Sequence, residues 1–173
     1  MDTEYTGNNQ LCADNQQGRL DPWWIVGFVD GEGCFSISII KNATTKRGYQ
    51  IFPEFVVAQG ERSLSVLEEL QNFFGCGKIY KNTRHDNHRE PLYRYCVRSQ
   101  TDLRYSVQPF FERYSLKSAK QNDFIVFCEV LEILHQKQHL TDDGFHKVCE
   151  LASTTNRHKS RIKNPQRLHA RPR

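Results

Sequence analysis

The sequence predicts an α+β fold with the order α-β-β-α-β-β-α-α-α, its four strands forming two hairpins. Three observations carry that prediction. After Gly33 the chain alternates, with Phe35, Ile37 and Ile39 on one side and Ser36, Ser38, Ile40 and Asn42 on the other. A basic turn, Thr44 to Gly48, leads into a second extended run from Tyr49 to Ala58, which completes a hairpin. Between Ser63 and Phe74 the period changes to that of a helix. Leu64, Leu67, Leu70 and Phe74 form the apolar stripe, and Gly75 and Gly77 mark its end.

The remaining elements follow in order. Asp21-Pro22 is a helix start, with Asp as N-cap and Pro at the first helical position, and that helix runs to Asp30 or Gly31. Lys78 to Lys81 and Pro91 to Arg98 read as a second hairpin, joined by the polar turn NTRHDNHRE. A third helix covers Gln100 to Arg113. A fourth, Ser118 to Gln136, carries Phe124, Phe127, Val130, Leu131 and Leu134, and a shorter one spans Thr141 to Ala152. Residues 1–20 are polar, rich in Asn and Gln and without periodicity, and are expected to be disordered. Residues 21–155 are expected to form one domain and residues 156–173 a basic tail. No second copy of the first unit is present.

Composition narrows the function. At 173 residues, with eleven Phe, seven Tyr and two Trp, the chain can build one packed core. No apolar run reaches membrane-spanning length, and the N-terminal residues lack a signal pattern. The six cysteines include no C-x-x-C pair, which argues against a zinc site or a secreted disulfide framework. A reducing interior is expected: an organelle or a prokaryotic cytoplasm. The net charge of +4 is uneven, because seven of the 24 Lys and Arg follow Asn156. The other 17 face 20 acids, so the tail alone makes the chain basic. Such a tail is either a solvated end or an arm for phosphates.

The stretch WWIVGFVDGEGCFSISIIKN, residues 23–42, concentrates the unusual chemistry. Gly27 and Gly31 lie four apart on one helical face, where small residues admit a second backbone. The plainer alternative is that the glycines only loosen and cap the helix end. Acids at a helix C-terminus oppose the macrodipole, so Asp30 and Glu32 call for a compensating cation. Two copies packed through the glycine face would bring two carboxylates together. That donor set suits Mg²⁺, which binds through one or two carboxylates and phosphate oxygens. Polar residues on the strand faces opposite the core are either an ordinary solvated surface or a β-ribbon surface that reads a DNA groove.

Residues Ile25 to Gly33, IVGFVDGEG, resemble the nine-residue signature of the LAGLIDADG homing endonucleases. The stretch Tyr114 to Phe124 is similar to the family's second landmark, a lysine-containing loop opening a long helix. The resemblance covers residues 21–137. It implies a LAGLIDADG homing-endonuclease fold, αββαββα, with a curved four-stranded antiparallel sheet lying along the major groove of double-stranded DNA. One motif implies a homodimer, with Trp24, Gly27, Phe28 and Gly31 at the interface and a long, near-palindromic target.

The resemblance also implies roles for individual residues. Glu32, with Gly31, would hold Mg²⁺, with Mn²⁺ or Ca²⁺ able to take its place, while Asp30 is structural. Gln59 would orient water near the nucleophile. The pocket lysine is Lys117 or Lys120, with Lys117 favoured for the leucine that precedes it. DNA contacts fall to Ser36, Ser38, Asn42, Arg47, Gln50, Tyr80, Asn82, Arg94 and Arg98. The expected activity is site-specific double-strand cleavage by an intron-encoded enzyme. The alternatives are an RNA maturase that binds intron RNA and a non-cleaving DNA-binding protein. Both signature acids are intact, which favours the nuclease.

Overall fold

The computed structural model describes residues 20–82 and 91–155. The expected N-terminal disorder, the basic tail and the tip of the second hairpin lie outside them. Helix α1, Pro22–Glu32, begins as predicted: Asp21 Oδ1 accepts from the backbone N–H of Trp23 (2.9 Å) and Trp24 (3.0 Å). Strand β1, Gly33–Lys41, follows directly, then β2, Tyr49–Gly60, α2, Leu64–Phe74, β3, Lys78–Asn82, and β4, Leu92–Val97. The four strands form one antiparallel sheet in the order β1-β2-β4-β3.

Register fixes which side chains meet the core. Phe35 pairs with Phe55, and Phe55 in turn with Val97, so odd-numbered residues share the inner face. Phe35, Ile37, Phe55, Val57, Tyr95 and Val97 are all buried there. The helices cover that face, with α2 on β4 and β2, and α1 and the later helices on β1 and β2. The Phe35 ring lies 5.1–5.4 Å from the rings of Phe55, Phe111, Phe124 and Phe127, an aromatic cluster that ties both ends of the domain to one strand.

Backbone geometry dictates glycine at both ends of the link between α2 and β3. Gly75 ends α2 in the left-handed conformation, at φ 65°. Gly77, at φ 80°, lies against the sheet, where a Cβ would approach Tyr95 Cε2 to 2.6 Å and the Cys96 carbonyl to 2.9 Å.

The third helix departs from the regular helix expected over Gln100 to Arg113. It consists of α3, Gln100–Asp102, a π turn, Leu103–Val107, and α4, Gln108–Arg113. The cause is Pro109, which has no N–H and crowds the carbonyl four residues back. The wider turn absorbs this: Gln108 N–H reaches Leu103 O, and Tyr105 is pushed into solvent. Helix α5, Lys120–His135, and α6, Asp142–Thr155, complete the fold, and Phe145, Val148 and Ala152 of α6 join the core. Among the described residues no helix is long and apolar enough to cross a membrane.

Candidate functional site

Helix α1 delivers its last turn to one end of the sheet. Ile25, Val26 and Val29 face the core, whereas Gly27, Gly31 and Glu32 are exposed. Around this helix end the 115–119 loop folds back. Asp30 accepts from the backbone N–H of Lys117 (2.6 Å) and Ser118 (3.2 Å) and from Ser118 Oγ (2.7 Å). Asp30 is therefore occupied as an anchor, and Glu32 is the acid left for other work.

The two candidate lysines have different surroundings. Lys120 opens α5 and sends its ammonium to the end of α1, donating to Val29 O at 2.7 Å and Asp30 O at 2.9 Å. It thus supplies positive charge at the helix C-terminus, where the acids called for it. Burial pushes its pKa down, against the upward pull of Cys34, Asp30, Glu32 and Asp123. Lys117 lies outside, its Nζ 5.2 Å from the Trp23 ring centroid. Helix α5 starts at Lys120, later than the Ser118 expected, because Ser118 is spent on Asp30. The signal for this arrangement is absent from local sequence, since the partners are 87 and 88 residues apart.

For Asp30 burial opposes the charge, but the Ser118 hydroxyl, the two backbone N–H groups and Lys120 outweigh it, so its pKa falls below 3.8. A carboxylate with a depressed folded pKa stabilises the fold above its unfolded value and loses that contribution as pH falls through the folded one. Asp30→Asn is therefore expected to cost about 1 kcal/mol at neutral pH after solvent screening, with the difference from the parent shrinking below about pH 4. Chemical denaturation of both proteins across pH 2–7, as the interval to be scanned, checks it.

The second feature is the outer face of the sheet, which the even-numbered residues share. Ser36, Ser38, Gln50, Asn82 and Arg94 stand on it, as the alternation predicted, and Tyr80 shares it; Arg98, just past β4, reaches the same face through Glu54 and Tyr80. At the first hairpin turn Asn42 Nδ2 donates to Gln50 Oε1 (2.9 Å), and Asn42 Oδ1 accepts from Thr44 N–H (3.0 Å). Arg47 leaves this face: it pairs with Asp142 at 2.5 Å, donates to Leu140 O at 2.8 Å and lies over the Phe145 ring. It holds the hairpin to the start of α6. Arg94 and Arg98 converge on Glu54, an acid on the same outer face that the structure buries to 8% exposure. Gln59 sits two residues past Val57, the partner of Gly33, and so at the sheet end where α1 enters.

Metal ligation is limited within one chain. Among the described residues no group of three His, Cys, Asp or Glu could hold an ion. With Asp30 engaged, one chain offers the Glu32 carboxylate and the Gly31 carbonyl. Such a short set of hard oxygens fits Mg²⁺, which retains waters and takes phosphate oxygens, better than a metal needing a full protein cage.

Fold and site together define an αββαββα protein whose first helix ends in an acid and a capping lysine beside a polar sheet face. The chain belongs to the LAGLIDADG endonuclease family, whose model matches residues 25–131. A probable intron-encoded endonuclease 2 from Neurospora crassa is 32% identical over 76% of this chain and 26% of its own length. The chain spans about a quarter of the length of the first fungal relatives it matches. Among solved structures, the homing endonuclease I-TnaI superposes with a TM-score of 0.73 at 41% identity, covering 87% of this chain and 94% of that one. I-SmaMI bound to cleaved DNA gives a TM-score of 0.74 at 31% identity over 80% of this chain and 45% of that one. The fold is that of the homing endonucleases.

Proposed function

We propose that the protein is a site-specific endonuclease that cuts double-stranded DNA as a homodimer, with Mg²⁺ at the junction of the two α1 helices. The observation that carries this is the end of α1, where an exposed Glu32 stands beside an ammonium seated on the helix carbonyls. Glu32 and the Gly31 carbonyl would hold the ion, which when bound supplies Lewis-acid stabilisation of the developing negative charge. Lys120 adds fixed positive charge at the same point. Gln59 orients water, and the outer sheet face holds the duplex in register. In the reaction a water oxygen bonds to phosphorus and releases a proton to solvent, the bond from phosphorus to the leaving oxygen breaks with its electron pair on that oxygen, and the leaving oxygen takes a proton from solvent.

The homodimer is supported by the glycines. A Cβ added at Gly27 or Gly31 meets nothing within 4 Å, so packing among the described residues does not require glycine there. Glycine costs a helix about 1 kcal/mol relative to alanine, and no contact among the described residues accounts for that cost, whereas a second helix packed on this face would. Trp24 and Phe28, stacked at 4.9 Å, flank the same face. Gly31→Leu is expected to convert the dimer to a monomer in sedimentation analysis without loss of helical circular dichroism. A dimer of undiminished affinity would rule out this interface.

The activity is tested by incubating the protein with plasmid carrying a library of candidate sites, with Mg²⁺ and with EDTA. Linearisation confined to Mg²⁺ and to few sequences is the expected result. Binding to intron RNA with no cleavage of any duplex would overturn the reading in favour of a maturase.

A further inference from the structure

Glu54 is the only buried carboxylate or basic side chain among the described residues, and it lies on the sheet face that the core does not use. A buried carboxylate is costly unless its charge is answered. Here the answer comes from two arginines on β4 and just beyond it, with Cys96 between them on the same face. Arg94 Nη2 donates to Glu54 Oε2 at 3.2 Å, and Arg98 Nε donates to Glu54 Oε1. The Arg98 guanidinium also lies over two rings, 4.8 Å from the Tyr80 centroid and 5.6 Å from that of Phe52. Its grip on the acid is made by Nε and not by the terminal fork. Both arginine side chains stay part exposed, at 36% and 39%.

From this geometry we infer that Glu54 is a positioning residue for base recognition, one buried acid that presets two guanidinium groups toward the DNA. The inference rests on the endonuclease reading above and names a specificity device within it. Guanine is read in the major groove by bidentate guanidinium contacts to O6 and N7. A free arginine loses much rotamer freedom when it makes them, and one already held by an acid and stacked on rings loses less. The same acid cancels one of the two positive charges, which weakens sequence-independent attraction to phosphates. Removing it should therefore move two properties in opposite directions: discrimination falls and non-specific binding rises. Removing a carboxylate that merely supported the fold would lower the melting temperature and do neither.

The test is selection from a pool of randomised DNA duplexes, bound at several salt concentrations and sequenced, for the parent, Glu54→Gln, Glu54→Asp, Arg94→Ala and Arg98→Ala. The parent is expected to enrich guanine at the positions that the two arginine variants erase. Glu54→Gln should flatten the preference at those same positions roughly tenfold, leave the others intact, and steepen the salt dependence of non-specific binding by about one unit. Glu54→Asp keeps the charge but withdraws it by one methylene, and should relax the same positions to a smaller degree. It also carries the test if Glu54→Gln fails to fold by circular dichroism. A profile unchanged from the parent in both Glu54 variants, or relaxed at positions unrelated to the arginines, overturns the inference alone. A parent protein that selects no sequence sinks the endonuclease reading and the inference with it.

Discussion

Glu32→Gln is expected to bind its DNA target with unchanged affinity and to lose cleavage by a factor of about 10²–10³ or more. The substitution keeps shape and removes only the charge. Glu32 is exposed at the end of α1. Loss of folding stability is therefore not the expected route to inactivity. The neighbouring acid cannot take over, because Asp30 is bound by Lys117 and Ser118. In a homodimer each subunit contributes one Glu32, so a heterodimer of parent and variant subunits separates the two strand cuts. Gel-shift titration in Ca²⁺ together with cleavage rates in Mg²⁺ measures both arms. Retained cleavage by Glu32→Gln would remove this residue from the metal site.

The second large effect is expected at Lys120. Lys120→Met removes the ammonium from Val29 O and Asp30 O, withdrawing the cap on α1 and the charge proposed to act in catalysis. Cleavage should fall by about 10²–10³, and unfolding free energy by roughly 1–2 kcal/mol for the lost charge-assisted bonds. Lys117→Met loses only a cation–ring contact with a half-exposed Trp23, worth about 0.5–1 kcal/mol, and should cleave within a few-fold of the parent. Single-turnover cleavage and denaturant melts of the two variants decide between them. Inactivity of Lys117→Met with an active Lys120→Met would restore the choice that the preceding leucine suggested.

Much of the architecture was legible because it follows from short-range rules. Asp21 and Pro22 announce α1 by capping chemistry that needs no distant partner. Alternation along β1 and β2 assigns each side chain a face, and the observed pairing keeps that parity through all four strands. The π turn before Pro109 was not legible, since proline signals a disturbance without saying how the helix absorbs it.

Arg47 shows the limit at the surface. A basic residue in a hairpin turn reads as a phosphate or base contact. Here it is held by Asp142, 95 residues away, because α6 packs beside the turn.

By itself the sequence determined the α+β order, the glycine face of α1, the acid at its end and the polar outer face of the sheet. All of these depend on residue type and period. Only the tertiary structure decided which lysine caps α1, which groups hold Asp30, and that Glu54 is a buried acid gripping Arg94 and Arg98. Those outcomes hang on contacts between residues 40 to 91 positions apart. Their geometry is set by how helices and strands pack, and no local period encodes it.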